Sequence, residues 1–348
     1  MNSSVDIKSL TSAELKEFLT ENGFKAFRAK QVEDWLKKGV TTFDEMKNIP
    51  SDLKEFLKTR CYISVAYIEK KLKSRYDKTV KYLFALSGGE YVESVVMSYK
   101  HGWSMCISTQ VGCKMGCTFC ATGKSGFSRD LTASEMLAQI EAAQRDLDIR
   151  ISNVVLMGMG EPLDNFDNVV KFLNLVTSEQ SLNIGARHIT LSTCGIVPKI
   201  YELAKLKLQI NLAVSLHAPN DEIRRQTMPV AKAYPMDMLL KACRDYFEVT
   251  GRRVTFEYAL ISGVNDSDEN AQELAKKLKG LNCHVNLIPV NPVKGTGYSK
   301  SDIKRQQSFT DILTKSGTAA TVRRTLGSDI NASCGQLKRN HINNKEDK

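Results

Sequence analysis

Cys113, Cys117 and Cys120 stand at C-x3-C-x2-C spacing in VGCKMGCTFCATG, which puts three thiolates on one short loop. Such a loop can hold three irons of a cubane cluster and leave the fourth iron open to a small chelating ligand. A structural zinc site needs four ligands, usually two pairs a dozen or more residues apart, and no second pair with that spacing follows. Closely spaced cysteines also occur as small buried hydrophobes. Here Gly112, Gly116 and the polar residues around them describe a loop instead of a core segment.

Other residues able to do chemistry recur at the ends of strand-like segments. MGMGEP supplies Gly158, Gly160 and Glu161, LSTCG supplies Ser192, SLH supplies Ser215 and His217, and NLIPVNP supplies Asn291. The glycines permit close backbone approach, and Glu161 can accept a hydrogen bond from an ammonium group. Taken singly, each residue fits a turn or a cap. Taken together, polar residues at four strand ends facing a cysteine loop describe a site that holds a polar ligand against a metal cluster.

The elements that must position these residues are legible from periodicity. From Met105 onward, strands alternate with amphipathic helices at a period of about 30 residues, the pattern of parallel βα units. The strands are MCISTQ, NVVLMGMG, HITLSTCG, INLAVSLH, RVTFEYALI and HVNLIPVNP. Thr132 and Glu135 form a capping box for one helix, Gly280 closes another, and a last helix is expected around residues 300–317. Six βα units do not close an eight-stranded barrel. The fold class is therefore α/β, a partial (βα)6 TIM-like barrel whose working face lies at the C-terminal strand ends. This core is expected over 105–348, including a C-terminal cysteine loop. Residues 1–60 read as a small helical domain, opened by the capping pair Thr11 and Glu14.

Residues 61–104 read as a basic linker with a β extension. Lys70, Lys71, Lys73, Arg75, Lys78 and Lys81 interleave there with Tyr76 and Tyr82, which suits contact with an RNA backbone. The 348-residue chain carries 49 Lys+Arg against 39 Asp+Glu, a formal charge of +10 that attracts polyanions. Neither a signal-peptide pattern nor a run of apolar residues long enough to span a membrane occurs, so a cytoplasmic protein is expected. Nine cysteines, an odd number, point to metal or redox chemistry over a disulfide framework.

The cysteine loop, with Phe119 before its last cysteine, resembles that of radical S-adenosylmethionine (SAM) enzymes, and GMGEP resembles their Gly-Gly-Glu segment. CISTQVGCKMGCTFCATG, VVLMGMGEPL, LSTCG, SLHAPNDEIR, NLIPVNP and DINASCGQL together resemble the RlmN family, which methylates C2 of adenine in 23S ribosomal RNA. The small N-terminal domain resembles that family's too.

The resemblance implies one [4Fe-4S] cluster on Cys113, Cys117 and Cys120, and two SAM molecules per turnover held by Gly160, Glu161, Ser192, Ser215, His217 and Asn291. Adenine C2 is an electron-poor amidine carbon and not a nucleophile, which explains a radical route. The first SAM methylates Cys334, and the second yields a 5'-deoxyadenosyl radical that takes hydrogen from that methyl group. The resulting carbon radical adds to adenine. Glu93 aligns with the base that then removes the C2 proton, and Cys106 with the thiol that forms a disulfide with Cys334 as product leaves. Cys61, Cys194, Cys243 and Cys283 match no catalytic position and are read as structural.

By the same resemblance the partners are 23S ribosomal RNA, transfer RNA in some members, and an external electron donor of the flavodoxin type, with a monomeric enzyme expected. On spacing alone, nothing brings Cys106 and Cys334 together, Cys106 falls near the start of its strand, and Glu93 falls on the solvent side of an alternating strand. Two other readings stand beside this one: a related methyltransferase acting on adenine C8, and a non-catalytic RNA-binding protein with a structural metal.

Overall fold

Capping chemistry sets the first elements. In the computed structural model, which describes residues 4–291, 295–332 and 337, strand β1 (Val5–Asp6) leads to helix α1 (Ser12–Glu21). There the Thr11 side chain accepts from the Glu14 amide, and the Glu14 carboxylate accepts from the Thr11 amide. Helices α2 (Phe27–Lys37) and α3 (Ser51–Arg60) follow, and β2 (Cys61–Tyr62) returns to pair with β1. Ile7, Leu15, Leu19, Val32, Met46, Leu53 and Leu57 bury themselves in a small core of their own. The helices were expected. The two-residue β pair that closes them carries no period and is invisible in sequence.

The chain then enters a ten-stranded sheet. Strands β3 (Tyr67–Lys73), β4 (Val80–Ala85), β5 (Tyr91–Tyr99) and β6 (Gly102–Cys106) pair antiparallel, each with the next. A separate hairpin, β7 (Gln110–Gly112) with β8 (Phe127–Asp130), flanks the cysteine loop. Next come α4 (Ala133–Leu147), β9 (Ile151–Leu156), α5 (Phe166–Thr177), β10 (Ile189–Thr193), α6 (Val197–Lys205) and β11 (Asn211–Ser215). They are followed by α7 (Asp221–Thr227), α8 (Met236–Thr250), β12 (Val254–Leu260), α9 (Asp268–Leu278), β13 (Cys283–Pro289), α10 (Ile303–Lys315) and β14 (Ala319–Val322).

The order across the sheet is β3-β4-β5-β6-β9-β10-β11-β12-β13-β14, and every pairing from β6 onward is parallel. Parallel strands need crossovers, and the amphipathic helices supply them. The Thr132–Glu135 capping box opens α4 as expected, and Gly280, at φ +80°, follows the end of α9. The six expected βα units run from β6–α4 to β13–α10. One more parallel strand, β14, lies beyond the expected last helix. Among the described residues β3 and β14 are the free edges, so the barrel is open. No helix among them is long and apolar enough to cross a membrane.

Three expectations need correction here. The 61–104 stretch is continuous with the core, because β5 pairs with β6 and sets Val95 opposite Cys106. Strands β4 and β5 are consequently interior, covered on both faces, and Glu93 is buried where alternation placed it toward solvent. Burial also thins the expected basic surface. Lys71 pairs with Asp146, Lys81 pairs with Glu93, and Tyr82 stacks on Phe84 inside the core, while Lys70, Lys73, Arg75, Lys78 and Tyr76 stay exposed.

The N-terminal domain docks on the core through polar contacts. The Asp6 carboxylate accepts from Thr132 and Ser134 at the start of α4, at 2.9 and 2.5 Å, and from Ser9 and Ser64 of its own side. Lys8 pairs with Glu141, and Lys171 with Glu14 at 3.1 Å.

Candidate active site

Between β7 and β8 the backbone is turned by residues that only glycine fits. Gly112 has φ +89°, and a Cβ there would overlap the Gly126 carbonyl. The Cys113 amide donates to that same carbonyl at 2.9 Å. The Cys120 amide closes a tight turn on the Cys117 carbonyl at 3.1 Å. Thr118 fixes the loop from outside, its amide donating to the Thr227 carbonyl at 3.0 Å and its hydroxyl meeting that of Tyr298 at 2.9 Å. Cys113, Cys117 and Cys120 are thus aimed from one loop into a cavity of about 380 Å³ at the C-terminal ends of the parallel strands.

Every ligand residue expected from sequence lines that cavity: Gly160, Glu161, Ser192, Ser215, His217 and Asn291. Gly160, at φ +106°, lies so close to β7 that a Cβ would stand 2.7 Å from the Gln110 amide nitrogen. The next amide, of Glu161, donates to the Gln110 side chain at 2.8 Å. The Glu161 carboxylate, expected to accept from an ammonium, already has partners within the protein. One oxygen accepts from the Leu163 amide at 3.0 Å and the other from the Cys194 amide at 2.7 Å. These amides, with the Thr193 side chain, fix its aim at the cavity wall. Burial pushes its carboxyl above the usual range, opposed by the Cys194 amide, the Thr193 side chain and the Leu163 amide.

His217 adopts a left-handed backbone, φ +55°. Its Nδ1 accepts from the Ala259 amide at 2.9 Å, which assigns the ring proton to Nε2. Burial pushes the imidazole down to about 3, helped by the Arg224 guanidinium. It is therefore a neutral hydrogen-bond donor at physiological pH, packed edge-on against Phe119 at 4.9 Å.

Glu93 and Cys106 line the same cavity. Cys106 is the last residue of β6, not near the start of its strand, because pairing with β5 begins the strand at Gly102. It is a free thiol that burial pushes up to about 11, with the Arg323 guanidinium opposing. Cys334 lies outside the described residues.

Sequence reasoning missed four contributors. Glu257, deep in β12, accepts from the Asn286 side chain at 2.8 Å and looked like part of an apolar strand. Arg323 and Arg324 follow β14, which was not foreseen; their adjacent charges after a short β-branched run were the available signal. Cys194, read as structural, lines the cavity beside Glu161.

Gly160→Ala is expected to weaken SAM binding by at least about tenfold, since backbone strain and the Gln110 contact would move the Glu161 amide. Equilibrium dialysis against labelled SAM reads the effect, and unchanged affinity would show that this turn does not shape the ligand site.

Residues 107–275 match the Radical SAM superfamily, and residues 5–63 match the ribosomal RNA large subunit methyltransferase N-terminal domain. A protein of Alkaliphilus oremlandii named as a probable dual-specificity RNA methyltransferase RlmN is 57% identical, covering 98% of this chain and 99% of its own length. One of Clostridium novyi with the same name is 55% identical over 97% of this chain and 99% of its own. The crystal structure of a radical SAM methyltransferase from Sphaerobacter thermophilus superposes with a TM-score of 0.90 at 44% identity, covering 95% of this chain and 98% of that one.

Radical SAM enzymes carry a [4Fe-4S] cluster and SAM, and the donor set here fits them. Among the described residues no three ligand side chains converge closely enough for a single ion. In a cubane each thiolate binds a different iron, so its sulfurs stand further apart than around one zinc. Burial pushes Cys113 up to about 12 and Cys117 higher still, so these thiols need the positive charge of bound iron to ionise. Similarity of this extent, through both the N-terminal domain and the core, makes the chain a member of the RlmN family of radical SAM RNA methyltransferases.

Proposed function

We propose that this chain methylates C2 of adenine in 23S ribosomal RNA, with transfer RNA as the second substrate that the dual specificity in its relatives' names supports. The observation that carries this reading is the presence of Glu93 and Cys106 in the same cavity as the cluster cysteines and the ligand residues. A cluster-only binding module has no use for a buried carboxylate and a free thiol there.

When bound, one cluster and two SAM molecules per turnover supply a methyl group and a 5'-deoxyadenosyl radical, which opens a C–H bond that polar chemistry cannot. The chain's residues do the rest. Cys113, Cys117 and Cys120 hold the cluster. Glu161 receives an ammonium, and His217, neutral and fixed as a donor, orients a polar group of the ligand without exchanging its proton. Ser192, Ser215, Asn291 and the Gly160 turn complete the contacts. Cys334 carries the methyl group. Glu93, buried against Lys81 at 2.9 Å, takes the C2 proton. The Cys106 thiolate attacks the Cys334 sulfur, forming the S–S bond as the bond from that sulfur to the bridging carbon breaks; the electron pair stays on that carbon, which takes a proton to become the methyl group of the released RNA.

Exposed Lys70, Lys73, Arg75 and Lys78 suit phosphate contacts. The electrons come from a flavodoxin-type donor, and the enzyme acts as a monomer in the cytoplasm.

Anaerobic reconstitution followed by nucleoside mass analysis of ribosomal and transfer RNA tests the reading. It predicts bound iron and sulfide, 5'-deoxyadenosine and 2-methyladenosine. Finding 8-methyladenosine instead, or RNA binding without SAM cleavage, would reject it.

A further inference from the structure

Lys81 is the only charged residue in β4, an otherwise apolar and buried strand, and its side chain is 1% exposed. Its Nζ lies 2.9 Å from the Glu93 Oε2 and donates to the Asn331 carbonyl at 2.9 Å. Glu93 is itself only 1% exposed. Burying an ion pair in a sheet stabilises no better than apolar packing of the same volume, so this pair is better explained by what it holds in place.

The second partner is informative. Asn331 belongs to a segment gripped by the turn between β3 and β4. Asp329 accepts from the Ser74 hydroxyl at 2.7 Å and from the Arg75 amide at 2.8 Å, and Asp77 accepts from the Gly327 amide at 2.9 Å. Gly327 and Asn331 are both left-handed, at φ +59° and +46°, so the segment bends tightly against the turn. It reaches the cavity at Ala332, which lines it together with Glu93. Of these anchors, Lys81 is the one that continues to the carboxylate.

We propose that Lys81 is a positioning residue for Glu93: it fixes the carboxylate's aim into the cavity, its own ammonium held by the Asn331 carbonyl of a segment that the Ser74–Asp77 turn anchors independently. The inference rests on reading Glu93 as the proton acceptor. If that reading holds, loss of Lys81 leaves methyl transfer to the protein intact and impairs the later step that needs the base. An adduct that keeps its C2 proton cannot restore the adenine ring and release RNA.

The test uses the cluster-loaded full chain as Lys81→Met, Lys81→Arg, Glu93→Gln and the double Lys81→Met/Glu93→Gln variant. Intact mass reads methyl loading, and a denaturing gel reads the protein–RNA adduct and its decay. Lys81→Met is expected to load its methyl group at close to the wild-type rate and to release RNA at least about tenfold more slowly, with Lys81→Arg in between. The double variant is expected to be no slower than Glu93→Gln, because residues acting as a unit are not additive.

Wild-type release by Lys81→Met, additive losses in the double variant, or parallel loss of loading and release would overturn the positioning role. If Lys81→Met fails to fold because it strands a buried carboxylate, the double variant, in which that carboxylate is neutral, and Lys81→Arg carry the comparison. Normal release by Glu93→Gln would instead reject the base assignment beneath the inference. A stalled Glu93→Gln beside a freely releasing Lys81→Met rejects the positioning role alone.

Discussion

Cys334→Ala is expected to reduce methylated adenine to background while leaving iron content, cluster absorbance and SAM affinity at wild-type values. A methyl group that must be carried on sulfur has no substitute carrier once the thiol is gone. Among the described residues, the hydrogen bonds that fix the cluster loop come from elsewhere. Its anchors are Gly126, Thr227 and Tyr298, which belong to the hairpin and to other βα loops. The ligand residues likewise sit on β10, β11 and the turns after β9, β11 and β13. Iron and sulfide assay, visible absorbance and dialysis against SAM give the check, beside nucleoside analysis. Loss of the cluster in this variant would refute the division between thiols that hold iron and the thiol that carries carbon.

Cys106→Ala is expected to trap a covalent protein–RNA adduct that survives denaturation, with multiple turnover lost. Its thiol lies at the end of β6 and lines the cavity. Burial raises it to about 11, so near neutral pH the thiolate is a small fraction that grows about tenfold per pH unit. The guanidinium of Arg323 acts in the opposite direction to burial and favours the thiolate. Release by the wild-type enzyme should therefore speed up as pH rises, and release by the alanine variant should not. A denaturing gel with and without nuclease reads the adduct, and ordinary turnover without any adduct would remove Cys106 from the mechanism.

The legible parts of the site were those that local rules govern. Three thiols on one loop, glycines at positive φ and polar residues at strand ends each declare themselves within a few positions, because close backbone approach excludes other side chains. The βα alternation was legible for the same reason: a helix that covers a parallel strand must show one apolar face to it.

Glu93 was misread because alternation describes a sheet with one wet face, whereas β5 lies between β4 and β6 with both faces covered. Cys106 was placed too early because a strand's start is set by its partner's register and not by its own residues. Two of the eight residues of the apparent RNA-binding stretch went inside for the same cause: once β4 joins the sheet, Lys81 and Tyr82 have nowhere else to point.

By itself, then, the amino-acid sequence determined the cluster loop, the glycine-lined ligand turns, the helical N-terminal domain and the open βα architecture, all products of short-range sterics and periodicity. Tertiary structure alone decided which distant residues meet. The Lys81–Glu93 pair, the clamp of Asp329 on the Ser74–Arg75 turn, and the meeting of Arg323 and Cys106 in one cavity depend on sheet order and register. Those contacts join segments far apart in the chain, and no local propensity encodes them.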